Sequence, residues 1–224
     1  MARDKYYKKF KVVEIQQTFY QPPEIEIIDR WRRSAPDDFE FTLKAWQLIT
    51  HQSSSPTYRR LKIKLTEKER LKCGFFNPSD KIFEAWDRID ATAAHLKAKI
   101  IVFQCPASFK PDEKNIDNLK RFFKRINRKD FKFVWEPRGK WPEPVIKRLC
   151  KDLNLIHCVD PFKDKAVYGD IGYFRLHGIG GYRYKYSDSD LKRLKNFCIG
   201  KKVIYVMFNN TNMWEDAIRF KGLW

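Results

Sequence analysis

Side chains that rarely tolerate isolated burial recur near the ends of apolar runs in this chain, often two residues apart. Glu14 and Gln16, Glu136 and Arg138, and Arg175 and His177 show this spacing, with Thr18 continuing the first series. Lys44 and Trp46 lie late in another such run, Gln104 ends a further one, and Asp160 and Asn209 end two more. A spacing of two puts side chains on one face of a strand. An unpaired buried charge is costly, so a face carrying several of them must pair them or turn them toward a site. The set suits proton transfer and the holding of an anionic or sugar-like group. Glu14, Glu136 and His177 are the expected acid–base or metal-assisting groups. Gln16, Lys44, Trp46, Gln104, Arg138, Asp160, Arg175, Tyr182 and Asn209 are the expected ligand contacts. The competing structural reading is mutual pairing of Glu14, Lys44, Glu136 and Arg175 inside the fold.

Local motifs narrow the chemistry only a little. Carboxylates and imidazoles (Glu14, Glu136, Asp160, His51, His157, His177) could supply Zn or Mn ligands, but no HExxH pattern occurs. The cofactor is left unknown by these residue types, with a divalent metal as one that they could hold. No GxGxxG or Walker loop is present. Gly178-Ile179-Gly180-Gly181 could offer backbone N–H groups to phosphate, or be a plain loop. His95 reads as a surface residue on a helix flank, His157 as a packed core histidine and Cys105 as structural. Phe19, Tyr20, Trp46, Trp135, Trp141, Tyr182, Tyr184 and Trp214 could stack on bases or sugar rings, about half of them being expected core residues.

Positioning these groups falls to alternating strands and helices. Strand-like runs occupy 11–20, 39–46, 99–105, 131–136, 155–160, 171–177 and 202–208. Helical stripes separate most of them: Ile82, Trp86, Ile89, Ala93 and Leu96 after Asn77-Pro78-Ser79-Asp80; Ile116, Leu119, Phe123 and Ile126; Val145, Ile146, Leu149 and Leu153 after Pro142; and Leu191, Leu194 and Phe197 after Ser187-Asp188-Ser189-Asp190. A short helix-like piece, Asp4–Phe10, precedes the first strand. This alternation predicts a parallel sheet flanked by helices, with polar groups gathered at the carboxyl ends of the strands. The stretch 52–72 includes Ser53-Ser54-Ser55-Pro56 and then RRLKIKLTEKERLK, long enough to form a flap over such a face, or a plain surface loop.

Composition sets the remaining bounds. The 224 residues suit one α/β domain spanning 1–224, and 43% hydrophobic with 16% aromatic residues supply a large core. Five scattered cysteines without a CxxC pair argue against a disulfide framework and for a reducing cytoplasm. No run approaches the ~18–20 apolar residues of a membrane span. A net charge of +18, from 46 Lys+Arg against 28 Asp+Glu, raises nucleic acid as a partner, with a merely basic surface as the alternative. Oligomeric state is not encoded in any feature found.

Longer motifs resemble one family. VEIQQTFYQPP (13–23), FTLKAWQLITH (41–51), VFQCPASF (102–109), VWEPRGKW (134–141), YFRLHG (173–178), YKYSDSDL (184–191) and YVMFNNT (205–211) are similar to the YecE-like proteins, the domain of unknown function numbered seventy-two. The resemblance runs from Tyr6 to Phe220 and implies a TIM-barrel-like (β/α) fold. The family's usual glycine-rich first strand has no counterpart here, so seven strands are expected, with a gap between 11–20 and 202–208. The resemblance implies no settled activity. The residues themselves point to a phosphate-bearing ligand, foremost nucleic acid, with nuclease-like hydrolysis. A sugar or sugar-phosphate isomerase or hydrolase, and a non-catalytic binding protein, are the alternatives.

Overall fold

The computed structural model describes residues 3–224, and the chain divides after Val145 into two compact units. The first begins with α1 (Arg3–Lys9), β1 (Val12–Ile15), α2 (Gln17–Tyr20), α3 (Ile25–Ser34), β2 (Glu40–Lys44) and α4 (Gln47–Thr50). A 3-10 turn (Pro56–Arg60), α5 (Glu67–Lys72), α6 (Asp80–Leu96), β3 (Ile100–Cys105), α7 (Glu113–Arg125) and β4 (Lys132–Pro137) follow. Helix α8 (Glu143–Asp152) carries the chain across the boundary. The second unit continues with β5 (Leu155–His157), β6 (Gly172–Leu176), α9 (Asp188–Cys198), β7 (Ile204–Phe208) and α10 (Met213–Lys221).

In the first unit β1, β2, β3 and β4 are neighbours in that order, and every pairing is parallel. The register sorts their side chains onto two faces. Phe41, Leu43, Ile101, Phe103, Phe133 and Trp135 share one face and are buried. Phe103 and Phe133 meet Trp86 of α6 and Phe123 of α7, with ring centroids 5.0–6.1 Å apart. Ser79 and Asp112 cap the first turns of those helices through side-chain bonds to the N–H groups of Ile82 and Asn115, and the apolar stripes turn inward because burial favours them there. The opposite face carries Glu14, Thr42, Lys44, Gln104 and Glu136.

The second unit repeats the division on a smaller scale. Strands β6 and β7 pair in parallel, and Val159 forms an isolated parallel bridge to Phe174. Phe174 and Leu176 pack with Leu191, Leu194 and Cys198 of α9 and with Phe220 of α10. Ser187 and Asp190 form a reciprocal capping box at the start of α9, as the Ser-Asp-Ser-Asp run suggests.

The α/β class and the parallel strands agree with the sequence expectation, and seven strands occur among the described residues. The ladders of the described residues do not close into a barrel. The expected first strand is too long: β1 stops at Ile15, and Gln17–Tyr20 is helical. Gln16 already has φ −80° and ψ −26°, and Thr18 donates to the carbonyls of Ile15 (3.0 Å) and Lys44 (2.7 Å), so the alternation cannot continue. Strand 39–46 likewise ends at Lys44, leaving Trp46 at the start of α4. At the other end of β1, Tyr6 of α1 donates to the Val12 carbonyl at 3.1 Å. Among the described residues no helix is long and apolar enough to cross a membrane.

Phe103 sits wholly buried among aromatic rings, so Phe103→Ala should lower stability by about 3–5 kcal/mol. Urea unfolding checks this, and a loss below ~1 kcal/mol would mean that this face contributes little to the fold.

Candidate functional site

The polar face of the first unit is built by strand register. Glu14 lies opposite Thr42, Lys44 opposite Val102, and Gln104 opposite Glu136, so all these side chains emerge on one side at the carboxyl ends of β1–β4. Each is nearly withdrawn from solvent. The Lys44 ammonium donates to Oε1 of Gln104 at 3.0 Å and stands 3.9 Å from the centroid of the Phe19 ring. Gln16 donates through its side-chain amide to Glu14. Arg138, two residues beyond Glu136, donates from Nε to the Glu136 carboxylate at 2.9 Å. The guanidinium side chain remains 39% exposed while the carboxylate side chain is 8% exposed, so the pair reaches from the interior toward solvent.

His51 belongs to the same face, although sequence reasoning assigned it only a conditional metal role. Its ring is buried beside Phe19, with a centroid separation of 4.9 Å, and Nδ1 lies 2.8 Å from the Thr50 hydroxyl. Burial, then the Lys44 charge, then the Arg138 charge lower its pKa from the ordinary imidazole value to about 3. The imidazole is neutral at physiological pH chiefly because it is buried, with the two cations adding to the effect. The signal in the sequence was the end of FTLKAWQLITH, where a histidine closes a short helix after Lys44.

The segment 52–72 is tied to this end of the first unit. Tyr58 donates to the His51 carbonyl at 2.8 Å, and the Arg60 guanidinium lies 3.6 Å from the centroid of the Tyr20 ring. Thr66 and Glu69 form a capping box on α5, and Glu69 pairs with Lys81 of α6 at 2.8 Å. Arg59, Lys62 and Lys64 are exposed along it.

In the second unit Arg175, His177 and Asn209 share one face at the ends of β6 and β7. Arg175 is fully buried, and its backbone N–H donates to the Val159 carbonyl at 3.0 Å. Asp160 accepts from the backbone N–H groups of His177 and Phe162, both at 3.1 Å. The Asn209 side-chain nitrogen lies 3.3 Å from Nδ1 of His177; donation by the amide makes Nδ1 the acceptor and leaves the proton on Nε2. Tyr182 is 60% exposed on the loop that follows.

In the loop from Gly178 to Gly181, which one reading of the sequence offered to phosphate, two of the backbone N–H groups are already engaged. The Gly178 N–H is bound by the Tyr186 hydroxyl at 2.9 Å, and the Gly181 N–H by the Gly178 carbonyl at 3.3 Å. Gly178 has φ +87°, and a Cβ there would stand 2.1 Å from the Gly181 carbonyl oxygen, so this turn requires glycine. Sequence reasoning also missed α10 and the network that locks it. Buried Asp216 accepts from Asn210 at 2.7 Å and from Arg219 at 3.1 Å. Of the aromatics expected to stack on a ligand, Trp135 is wholly buried and donates to the Cys105 sulfur at 3.3 Å, so it belongs to the core. Trp141 is also buried, donating to the Phe109 carbonyl at 2.8 Å. His157 is a core residue whose Nδ1 accepts from the Val167 N–H at 3.3 Å, and His95 lies at the surface, 2.7 Å from Asp29. All five cysteines are buried, and burial raises the Cys105 thiol's pKa. Among the described residues no three His, Cys, Asp or Glu side chains converge as metal ligands.

Residues 3–220 match the family described as "Protein of unknown function DUF72". The chain belongs to the DUF72 family. This DUF72 chain is similar in fold to a crystal structure of a DUF72 family protein from Enterococcus faecalis V583, with a TM-score of 0.71 and 20% identity over 98% of this chain and 91% of that one. A DUF72 family protein from Thermotoga maritima MSB8 is comparably similar, with a TM-score of 0.71 and 22% identity over 96% and 84% of the two chains. No curated protein matches the DUF72 chain.

His51 supplies a pH test of the polar face. Its folded pKa lies below the unfolded value, so above about 6.5 neither state is protonated there and its burial carries no protonation penalty. As pH falls from 6.5 toward 3 the unfolded chain binds a proton that the folded chain refuses. Stability should then drop by about 1.4 kcal/mol per pH unit from this group. Urea unfolding at pH 7 and pH 5 should show His51→Gln with a shallower loss than the parent; equal losses would mean that its surroundings do not hold the ring neutral in the fold.

Proposed function

We propose that the protein binds a phosphate-bearing polymer, foremost nucleic acid, at the carboxyl-end face of its first unit. The observation that carries this reading is the exposed basic segment beside that face. Arg59, Lys62 and Lys64 stand exposed on it, and it is fastened there through Tyr58 and Arg60, next to Lys44 and the half-exposed Arg138. A net charge of +18 gives the encounter long-range attraction. In this reading Arg138 and the exposed Arg59, Lys62 and Lys64 contact phosphate, while Lys44 sets the potential from within. Glu136, oriented by Arg138, is the candidate base for hydrolysis. The TIM-barrel-like plan is retained as a proposal, supported by the strand–helix alternation within each unit.

A second reading draws on the second unit. Asp160, His177 and Asn209 form a small polar group with a defined imidazole tautomer, suited to proton transfer on a sugar or sugar phosphate.

Salt dependence separates the two. Titration of fluorescent single- and double-stranded oligonucleotides should give log K falling linearly with log salt, with a slope of roughly −0.7 to −0.9 per phosphate neutralised. Replacing Arg59, Lys62 and Lys64 with alanine should flatten that slope and weaken all sequences alike. Glu136→Gln should retain affinity and lose any cleavage. Binding no tighter than that of an unrelated protein of equal charge would remove the nucleic-acid reading and leave the small-molecule one.

A further inference from the structure

Strand β1 lies at the end of its sheet, with β2 as its neighbour among the described residues. Its Val13 and Ile15 pair in register with Phe41 and Leu43 and so share the apolar parity of the first unit. Phe41 and Leu43 are buried, whereas Val13 and Ile15 are only half-buried, because the cover over that face is incomplete at the sheet's edge. A groove of about 260 Å³ opens there, lined by residues of α1, β1, α3 and β2. Its volume is just below the ~300–1,000 Å³ of typical small-ligand pockets, room for one or two fused rings.

The groove offers ring surface and one charge. Tyr6 and Tyr7 of α1, Trp31 of α3 and Phe41 of β2 all line it. The tyrosine hydroxyls are engaged: Tyr6 donates to the Val12 carbonyl at 3.1 Å, and the Tyr7 hydroxyl lies 3.4 Å from that of Ser34. These walls therefore favour an aromatic body packed edge-to-face or offset against them. Among the described lining residues Arg3 alone is charged. Its guanidinium stands 5.7 Å from the centroid of the Trp31 ring and forms no ion pair among the described residues. Arg3 is exposed, so an incoming ligand can reach it.

One cation beside four rings restricts the occupant. A cationic ligand would be repelled, and a polyanion finds far more positive charge on the segment 52–72. A single carboxylate matches the planar guanidinium fork, and an aromatic body matches the walls. We infer that this groove binds a small aromatic monocarboxylate, its ring against Tyr6, Tyr7 and Trp31 and its carboxylate on Arg3. The groove lies on the apolar side of β1, opposite in parity to Glu14, and the inference is independent of the nucleic-acid reading.

Ligand-observed NMR titrations with indoleacetate and with its neutral isostere indoleacetamide test the groove. The acid should bind about 2- to 5-fold tighter, the worth of one solvent-exposed ion pair. Arg3→Ala should abolish that difference and leave the amide bound. This variant removes one of 46 Lys+Arg residues, so the protein's general attraction for anions is nearly unchanged. A preference for the acid that survives in Arg3→Ala would therefore belong to the overall charge and overturn the inference. Trp31→Ala should weaken both ligands several-fold, and unchanged affinity there would overturn it as well. Because Arg3 is exposed, its variant keeps the test decisive even if Trp31→Ala folds poorly. Acetate, which lacks the ring, should show no saturable binding; acetate bound as tightly as indoleacetate would reduce the groove to a lone arginine and reject the site.

Discussion

Burial of the Lys44 ammonium is the constraint around which the first unit is arranged. A lone cation at that depth would be prohibitively costly, so its surroundings must supply an acceptor and a polarisable face. Gln104 gives the acceptor from the adjacent strand, and Phe19 gives the ring from the short helix after β1. That helix exists because Thr18 turns back onto the carbonyls of Ile15 and Lys44. The chain reversal that ends β1 and the solvation of Lys44 are thus two aspects of one arrangement. His51 completes it as a neutral ring, because its burial, and after that the Lys44 and Arg138 charges, disfavour the protonated form.

The same economy explains the two-faced sheets. Parallel strands with helices against one face bury that face in hydrocarbon, and here Phe103, Phe133, Trp86 and Phe123 do so in the first unit. The other face is then free to hold polar groups wherever neighbouring strands can satisfy them. In the second unit Asp160, His177 and Asn209 satisfy one another through backbone and side-chain bonds, while Phe174 and Leu176 cover α9. Both units separate stability from chemistry by strand parity.

The basic segment differs in kind from both faces. It is attached at points, by Tyr58 to a backbone carbonyl and by Arg60 to an aromatic ring, and its remaining cations face solvent. A ring–guanidinium contact of this sort contributes about 0.5–1 kcal/mol at an exposed position, enough to bias the segment's placement without freezing it.

Much of this was legible in the sequence because it depends on local rules. Apolar runs with polar residues near their ends located β2, β3, β4 and β6, and Ser187 with Asp190 announced the start of α9. Within each strand spacing fixed parity, but it took the register of the parallel ladders to join Glu14, Lys44, Gln104 and Glu136 on one face. Other features needed the tertiary structure. The end of β1 at Ile15 depends on a hydroxyl meeting a carbonyl 26 residues away, and no local pattern encodes that. Trp135, adjacent to Glu136, has the opposite parity and lies on the hydrocarbon side, where the helices that only folding supplies bury it. The neutrality of His51 likewise arises from neighbours that only folding supplies. Sequence determines which side chains share a face; the packing of distant segments decides what each face meets, and hence which of those side chains remain available for chemistry.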